Sequence, residues 1–393
     1  MKRILLLIAC VFSLEGIARV PVQQVVSYND QFALSLYKAV MKPQQSFVVA
    51  PYSLSSAFAI VYLGSAGETQ REIATFFRFP LAPNYLAQSF QSINEGLSSD
   101  KNLKLASSLW IERTINVNDT FRTNVDQNFP NQFFEVDFLL RTDSARNDIN
   151  SWGAKVTDKK IPSILNVSDV SNSTKMLVVA TCSLSSPWQK PFNVRETKSE
   201  PFFYTKQNQR TVTMMRALNE FPYYEDEQVK IVELPYSQDQ SQGARLSLFV
   251  VVPKEVDGLK RLEDDLGPET FSLWISDIQT RLVDVKIPRF RNTQVYSFKE
   301  IFDKMGFKGP FQSGADFSEL TSSSGVYVSK VIQKVSFSID ERGTDTSVPN
   351  TSQKQLAQNP EGIKTVVADR PFLYFVFDNT INQIVLIGRC LQP

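Results

Sequence analysis

The chain has 393 residues, with 42 lysines and arginines against 41 aspartates and glutamates, so its formal charge is +1. This balance excludes a general binder of nucleic acids, because such binding needs an excess of cationic side chains to neutralise phosphates. Histidine is absent, which excludes Ser-His-Asp and Cys-His nucleophilic sites and zincin-type metal sites. Since no phosphate-binding glycine loop occurs either, we expect neither an enzyme nor a cofactor or metal site.

The N-terminus has the pattern of a secretory signal peptide. Lys2 and Arg3 form a charged start, an apolar stretch follows, and Gly16 and Ala18 provide a small-x-small cleavage site. The apolar stretch is too short to span a bilayer. We therefore predict removal of residues 1–18, secretion to the extracellular space and no attachment to a membrane.

Secretion bears on the cysteines and on the glycosylation sequons of the mature chain. Cys182 and Cys390 either pair in an oxidising compartment or remain two separate buried thiols, and the sequence leaves both alternatives open. The Asn-x-Ser/Thr sequons, each a predicted glycan acceptor where it is exposed, lie at Asn118, Asn166, Asn172 and Asn350.

Periodicity predicts helices early in the chain and strands later. Helical spacing of apolar residues occurs at 28–41, 51–63, 68–77 and through 148–156. Short apolar or β-branched runs predict strands at 176–180, 229–234, 246–252, 283–287, 326–332, 335–339, 372–377 and 384–387. The lack of regular strand–helix alternation favours an α+β fold, and the lack of a linker favours one domain over residues 19–393.

One long segment, about 342–369, has no core pattern although it lies between two apolar strands. A loop of this length inside a compact domain is usually functional or disordered. The alternative is a passive surface insertion.

Several blocks of the sequence resemble the serpin family, in order and at the family's spacing. They are 50–57 (APYSLSSA), 63–69 (LGSAGET), 187–192 (PWQKPF), 315–318 (ADFS), 327–331 (YVSKV), 340–344 (DERGT), 370–375 (RPFLYF) and 388–389 (GR). The resemblance covers essentially the whole mature chain.

The resemblance implies the serpin fold, with three β-sheets, eight or nine helices and an exposed reactive loop, here about 342–369, in a monomer. In inhibitory members a serine protease cleaves this loop. The part before the cut then inserts as a new central strand of the largest sheet, and the acylated protease is distorted. This mechanism needs no catalytic residue in the serpin, which agrees with the missing histidine.

The hinge implied by the resemblance is the stretch that must enter the sheet first. It comprises Glu341, Arg342, Gly343, Thr344, Asp345 and Thr346. Strand alternation places Thr344 and Thr346 inward and Asp345 outward. Gly343 is flexible and Thr344 is β-branched, so the start of the hinge suits insertion.

Two residues further along oppose insertion. Pro349 has no N–H and is disfavoured in a central strand, and the lost bond costs about 1–3 kcal/mol. Asn350 heads a sequon, and a glycan on its side chain could not be buried inside a sheet. If Asn350 stays unmodified, the loop is merely polar there.

A buried hydrogen-bond network of the family, the shutter, is altered in this sequence. Ser53 and Ser56 match its serines, but Gln333 stands at the family's histidine position and Ala180 at its asparagine position. Glutamine still forms hydrogen bonds, whereas the alanine side chain forms none. A buried network that lacks members must be rebuilt or becomes costly.

The breach, where the loop enters the sheet, keeps the family's pattern. Arg289 and Glu341 match a family pair, and Trp188 lies in the tryptophan block. The alternative interpretation is a purely structural ion pair.

Family spacing from Gly343 places the scissile bond between Ala357 and Gln358. An alanine before the bond suits an elastase-like protease. Cleavage after Lys354 instead would leave the inserting arm three residues shorter, 344–354 against 344–357, and would favour processing as a substrate.

From Pro349, the sequon at Asn350, Ala180 and Gln333 we expect a secreted, non-inhibitory serpin. Such a protein is a protease substrate or binds another extracellular partner. The alternative is an inhibitor of a serine protease that acts by suicide cleavage between Ala357 and Gln358 and insertion of the loop.

Overall fold

The computed structural model describes residues 15–80, 82–237, 245–346 and 362–393. Within these ranges the α-helices are α1 (Glu15–Val40), α2 (Pro51–Leu63), α3 (Gly67–Phe77), α4 (Pro83–Ser98), α5 (Asp119–Asn128), α6 (Thr142–Val156), α7 (Leu259–Asp265), α8 (Pro268–Ser276) and α9 (Lys299–Lys304). No helix of this part of the chain is both long and apolar enough to cross a bilayer.

The described residues also form β-strands. They are β1 (Phe47–Val49), β2 (Leu103–Glu112), β3 (Phe133–Val136), β4 (Met176–Leu184), β5 (Ser186–Pro187), β6 (Lys198–Phe203), β7 (Gln209–Glu225), β8 (Val229–Pro235), β9 (Leu246–Pro253), β10 (Gln279–Pro288), β11 (Phe290–Ser297), β12 (Val328–Ile339), β13 (Gly343–Thr344), β14 (Lys364–Val367), β15 (Phe372–Asp378) and β16 (Gln383–Cys390). The mixture of helices with mainly antiparallel strands confirms the predicted α+β class.

Hydrogen bonds join the described strands into two sheets rather than three. The seven-stranded sheet has the order β3-β2-β4-β12-β13-β5, with β11 paired to β12. The nine-stranded sheet has the order β1-β16-β15-β9-β8-β7-β10-β14, with β6 paired to β7. The long strand β7 pairs with β6 and β10 along most of its length and with β8 near its end, so it fuses two of the three implied sheets into one.

The core is arranged around the helix α2. All residues from Pro51 to Leu63 are buried, because the helix packs against β2 and β4 of one sheet and β16 of the other. The other face of the seven-stranded sheet is covered by α6 and the segment that follows it, which share an apolar cluster with Leu177, Val179 and Ile332. Both faces of the strands β4 and β12 are therefore covered.

Most predicted elements are present, with different bounds. The predicted strands 326–332 and 335–339 are wrong as separate elements, because they form the single strand β12. The helix predicted at 28–41 begins at Glu15. The segment 342–369, which shows no core pattern in the sequence, contains the strands β13 and β14 near its ends, and both pair with neighbouring strands.

The structure decides whether the cysteines are paired and shows the surroundings of the described sequon asparagines. Cys182 and Cys390 are separate, buried free thiols. Asn118 uses its side-chain nitrogen to donate hydrogen bonds to the carbonyl oxygens of Ser318 and Glu319, each at 3.0 Å. The other described sequons, at 166 and 172, are exposed. The fourth, at 350, lies outside the described residues, as do residues 1–14, so removal of the signal peptide stays a prediction.

Candidate functional site

The central feature of the site is the junction between β4 and β12, which we call the seam. The two strands are parallel neighbours, paired from Met176 with Val328 to Ser183 with Ser336. The paired residues of β4 are all buried. A new central strand could enter the seven-stranded sheet only by separating these two strands.

At the top of the sheet the separation already exists. The short strand β13 pairs antiparallel with β12, through Thr344 and Ile339. On its other side it pairs antiparallel with β5, through Gly343 and Pro187 and through Thr344 and Ser186. Since β5 directly follows β4 in the chain, β13 lies where a strand that parts β4 from β12 would begin.

The side chain of Thr344 is fixed inside the fold. It is fully buried, and its hydroxyl is 2.7 Å from the hydroxyl of Tyr236. Tyr236 stacks on Trp188 with 4.7 Å between ring centroids. Burial raises the pKa of Tyr236, so the phenol stays neutral and remains able to donate a hydrogen bond. Thr344 of the hinge is therefore already seated in the sheet.

The strand ends at the next residue. Asp345 has a φ of 43°, a left-handed conformation that interrupts an extended strand. The hydroxyl of Ser185 donates to its carbonyl oxygen at 2.6 Å. Lys160 donates to the same carbonyl at 3.1 Å and forms an ion pair with the carboxylate at 2.9 Å. Asp345 is exposed, whereas Thr344 and Thr346 are buried.

Gln333 connects the middle of the seam to α2. Its amide nitrogen donates to the carbonyl of Ala50 at 2.8 Å and to the hydroxyl of Ser53 at 3.0 Å. Its amide oxygen accepts from the N–H of Ala50 at 3.2 Å. Gln333 is fully buried and faces Ala180 across the seam. The network implied by the resemblance is thus rebuilt around glutamine, and the expected cost of missing members is not incurred at this position.

Ser56 belongs to a neighbouring cluster instead. Its hydroxyl lies 3.1 Å from the hydroxyl of Ser107 and accepts a hydrogen bond from Asn94 at 3.5 Å, and the hydroxyl of Ser107 donates to Gln132. The structure therefore brings Ser53, Ala180 and Gln333 together but separates Ser56 from them. The sequence gives no clear indication of this cluster, because Ser107 is one of several polar residues in β2.

The breach residues surround the start of the hinge. Arg289 binds both carboxylate oxygens of Glu341, with the closest contact at 2.6 Å, and the hydroxyl of Thr197 donates to the same carboxylate at 2.6 Å. The indole N–H of Trp188 donates to the carbonyl of Asp340 at 2.8 Å. Thr197, Asp340 and Tyr236 were not predicted, because their partners lie far away in the sequence.

Glu341 is only 3% exposed. Burial by itself would raise its pKa, but the hydrogen bonds from Arg289 and Thr197 and the charge of Arg289 outweigh burial, so the pKa is lowered. The pair is therefore ionised at neutral pH and stabilises the turn that carries the hinge. Of the other predicted site residues, Pro349, Ala357 and Gln358 lie outside the described residues.

Comparison with known proteins gives one consistent family. A family model described as serpin (serine protease inhibitor) matches residues 27–393. The leukocyte elastase inhibitors of Mus musculus (form A) and Homo sapiens are each 30% identical over 386 residues, which cover 94% of this chain and 100% of each relative. A solved structure of a tumour-suppressing serpin has a TM-score of 0.84 at 27% identity, over 94% of this chain and 100% of that one. Uncleaved ovalbumin has a TM-score of 0.82 at 25% identity, with the same coverage.

The Gln333→Ala substitution should destabilise the closed seam. It removes three hydrogen bonds and leaves polar groups of Ala50 and Ser53 buried without this partner. We expect the free energy of unfolding to fall by about 1–3 kcal/mol, measured as a lower midpoint in thermal or urea unfolding. Gln88→Ala, at an exposed position of α4, is the control and should leave the midpoint unchanged. Equal midpoints for the two variants would contradict the assignment.

The Glu341→Gln substitution tests the ion pair through its pH dependence. A carboxyl whose pKa is lowered by folding stabilises the protein above its unfolded pKa of about 4.3, and this contribution is lost as the pH falls through the lower, folded pKa. We therefore expect the stability difference between wild type and variant to be largest above about pH 5 and to shrink toward zero in acid. Glu68→Gln, in an exposed pair with Arg71, should give a small difference at every pH. A difference for Glu341→Gln that does not change with pH would count against the pair.

Proposed function

The chain belongs to the serpin family, and from this premise we propose that it inhibits a serine protease by inserting its own cleaved loop into the seam. The match is to a family of inhibitors and not to a family of enzymes. The loop would be cut between Ala357 and Gln358, and residues from Thr344 onward would form the new strand.

The position of β13 carries this proposal. It runs antiparallel to both β12 and β5. The chain leaves β12 through a tight turn, so a strand that it then inserts between the parallel strands β4 and β12 must run in this same direction. Its inward residue, Thr344, already has its buried partner in Tyr236. Insertion therefore extends an existing strand and does not have to start one.

The hydrogen-bond balance also supports insertion. Opening the seam breaks one parallel ladder between β4 and β12. A new strand between them forms two antiparallel ladders, which are slightly more stable per residue than a parallel one. The missing N–H of Pro349 removes a single bond, at a cost of about 1–3 kcal/mol. The loss of this one hydrogen bond slows insertion, but its cost is small compared with the free energy gained from a hydrogen-bond ladder along the whole strand.

The names of the relatives support an elastase-like target. The 30% identical relatives are leukocyte elastase inhibitors, and Ala357 is the small residue that an elastase-like protease prefers before the cut. The partner proposed here is therefore a serine protease of elastase-like specificity.

This proposal reverses the expectation of a non-inhibitory serpin. Two of its four reasons, Ala180 and Gln333, lose their force because the glutamine network is complete without a partner at position 180. The other two, Pro349 and Asn350, lie outside the described residues. A role as protease substrate or binding protein is the second candidate, and Pro349 is the observation that favours it.

We expect an SDS-resistant complex when the protein is incubated with an elastase-like protease. Thr344→Ser keeps a small side chain and the hydroxyl that contacts Tyr236 at the buried position, so it should still form the complex. Thr344→Arg places a charge there, so the loop should be cut but the complex should be lost. A trypsin-like protease that cuts after Lys354 should also release cleaved chain without complex.

Denaturing gels with the three proteins and two proteases give the readout. Cleavage of the wild-type loop by the elastase-like protease without any covalent complex would show a substrate and not an inhibitor. A complex that persists in Thr344→Arg would contradict insertion through this residue.

We further propose that the protein is secreted after cleavage at Ala18, as its N-terminal pattern predicts. In a eukaryotic host the protein recovered from the medium should begin at Arg19. Glycans should be present on Asn166 and Asn172, which are exposed, and absent from Asn118, whose side-chain nitrogen is engaged. N-terminal sequencing and glycopeptide mapping give the result. Retention in the cell with an intact N-terminus would refute secretion.

A further inference from the structure

The turn between β3 and α6 carries two consecutive leucines that the fold does not cover. Leu140 is 82% exposed and Leu139 is 46% exposed. We call these two side chains, together with Arg141 beside them, the leucine knob. Neighbouring apolar side chains that stay exposed on a folded protein are typical of contact surfaces.

Hydrogen bonds of the turn keep the knob exposed. The N–H of Leu139 donates to the carboxylate of Glu112 at 3.0 Å, and the N–H of Leu140 donates to the carboxylate of Asp137 at 2.8 Å. Phe138, which precedes the knob, is fully buried in the core. Because the backbone is fixed in this way, a partner that covers the leucines has little conformational freedom to remove.

Arg141 adds a positive charge to the knob. It is exposed, and within the described ranges it forms no ion pair. Two carboxylates near it in the chain have other partners, since Asp137 accepts from the turn and Asp143 pairs with Arg146. The knob therefore presents two apolar side chains and one uncompensated cation.

An open cavity elsewhere on the molecule has the complementary properties. It has a volume of about 1070 Å³ and lies between α1, α8 and the turn that follows β15, and we call it the α1–α8 cavity. Cavities of this size with apolar walls are typical of binding sites. Its apolar lining consists of Val26, Leu34, Phe271, Ile275, Phe377 and Ile381.

Asp30 is the one charged residue among the described residues that line the cavity. One of its carboxylate oxygens accepts hydrogen bonds from the N–H of Ile384 at 2.8 Å and from the side-chain amide of Gln383 at 2.6 Å. The other oxygen accepts none from the described part of the chain. Burial raises the pKa of Asp30 to about 8, because no cation is present to offset the loss of solvent.

We propose that the leucine knob of one copy of this chain enters the α1–α8 cavity of a second copy, where Arg141 pairs with Asp30. The apolar side chains of the knob match the apolar walls of the cavity, and each side supplies the charge that the other lacks. No other described part of the surface combines two adjacent exposed leucines with a cation.

The contact joins two different surfaces, so it is heterologous. Each copy that has used its knob still has a free cavity, and each copy that has used its cavity still has a free knob. Such contacts form open chains unless the geometry closes them into a ring. Neither surface includes a residue of the seam, of the hinge or of the segment 342–369, so the association is independent of the proposed inhibition.

The association should be weak and reversible on dilution. One knob in one cavity is smaller than a standard interface, and we therefore expect half-association near about 0.1 mM. The serpin resemblance implies a monomer, and dilute protein should be monomeric.

Sedimentation equilibrium tests the contact over concentrations from about 5 µM to about 500 µM, which bracket the expected affinity. The mean mass of the wild type should rise from that of a monomer to beyond that of a dimer. Leu139→Ser/Leu140→Ser removes the knob, and Ser272→Trp fills the mouth of the cavity from an exposed position of α8. Each should weaken association at least about tenfold.

Val295→Ser is the matched control, because it removes an exposed apolar side chain of β11 that belongs to neither surface. It should associate like the wild type. A wild type that stays monomeric throughout, or a control that loses association as the knob variant does, would overturn the proposal.

Mixing the two defective proteins gives the sharpest test. The knob variant keeps its cavity and the Ser272→Trp protein keeps its knob, so an equal mixture can form one contact per pair. We expect the mass to rise to that of a dimer and to stop there, although each protein alone is a monomer. A mixture that stays monomeric, or one that grows beyond the dimer, would show that the knob does not bind the cavity.

The pairing of Arg141 with Asp30 is tested by pH. The pair needs an ionised Asp30, so wild-type association should strengthen at least about tenfold between about pH 6.5 and about pH 8.5. Asp30→Asn keeps a hydrogen-bond acceptor and Arg141→Gln keeps a long polar side chain, and both should lose this trend. Because Arg141 is exposed, its variant also serves if Asp30→Asn is unstable.

An unchanged pH trend in either variant would contradict the ion pair. Native mass spectrometry of the dilute wild type shows whether a small molecule occupies the cavity instead. A bound apolar molecule that leaves the wild type monomeric at high concentration would overturn the assignment of a second copy as the occupant.

Discussion

The parallel pairing of β4 with β12 is the interaction on which the rest of the structure depends. The paired stretch Met176–Ser183 is buried on both faces, with α2 behind it and α6 with the segment 157–175 in front. The strand β4 has the nearly continuous apolar run that is typical of a buried parallel strand. Whatever enters the seven-stranded sheet must part this pair and displace at least one of its covers.

Polar groups hold the closed pair at three levels. At the top, Arg289 and Glu341 fix the turn at the start of the hinge. In the middle, Gln333 ties β12 to the start of α2. In front, Lys334 and Lys330 of β12 donate hydrogen bonds to the backbone carbonyls of Ser163 and Ser168. None of these contacts blocks the space that a new strand needs, so each opposes opening through the bonds that must be broken and not through steric exclusion.

The apolar elements could be predicted from sequence, and the contacts that set the mechanism could not. Runs such as 176–180 and 372–377 have strand periodicity and lie in β4 and β15. α4, α5 and β7 were missed because their exposed faces are rich in polar residues, and β12 was divided in two because Gln333 and Lys334 interrupt its apolar run. Contacts such as Tyr236 with Thr344 and Lys160 with Asp345 join residues 108 and 185 positions apart, which no local pattern reveals.

The difference between local sequence patterns and contacts between distant residues also explains why the sequence favoured a non-inhibitory protein. Pro349 and the sequon at Asn350 are visible as local obstacles, whereas the seated hinge and the rebuilt network are visible only in three dimensions. These obstacles prevent insertion only if their free-energy cost exceeds the free energy that insertion releases. The structure adds to that gain a strand that has already begun and a polar network without missing partners at Gln333.

Thermal unfolding of the protein before and after a single cut in the reactive loop tests the central claim most directly. If the strand that begins at Thr344 extends into the seam, the cut chain gains a fully paired central strand, and its unfolding midpoint rises far above that of the intact chain. A midpoint that is unchanged or lower after cleavage would show that the seam stays closed, and it would contradict the account.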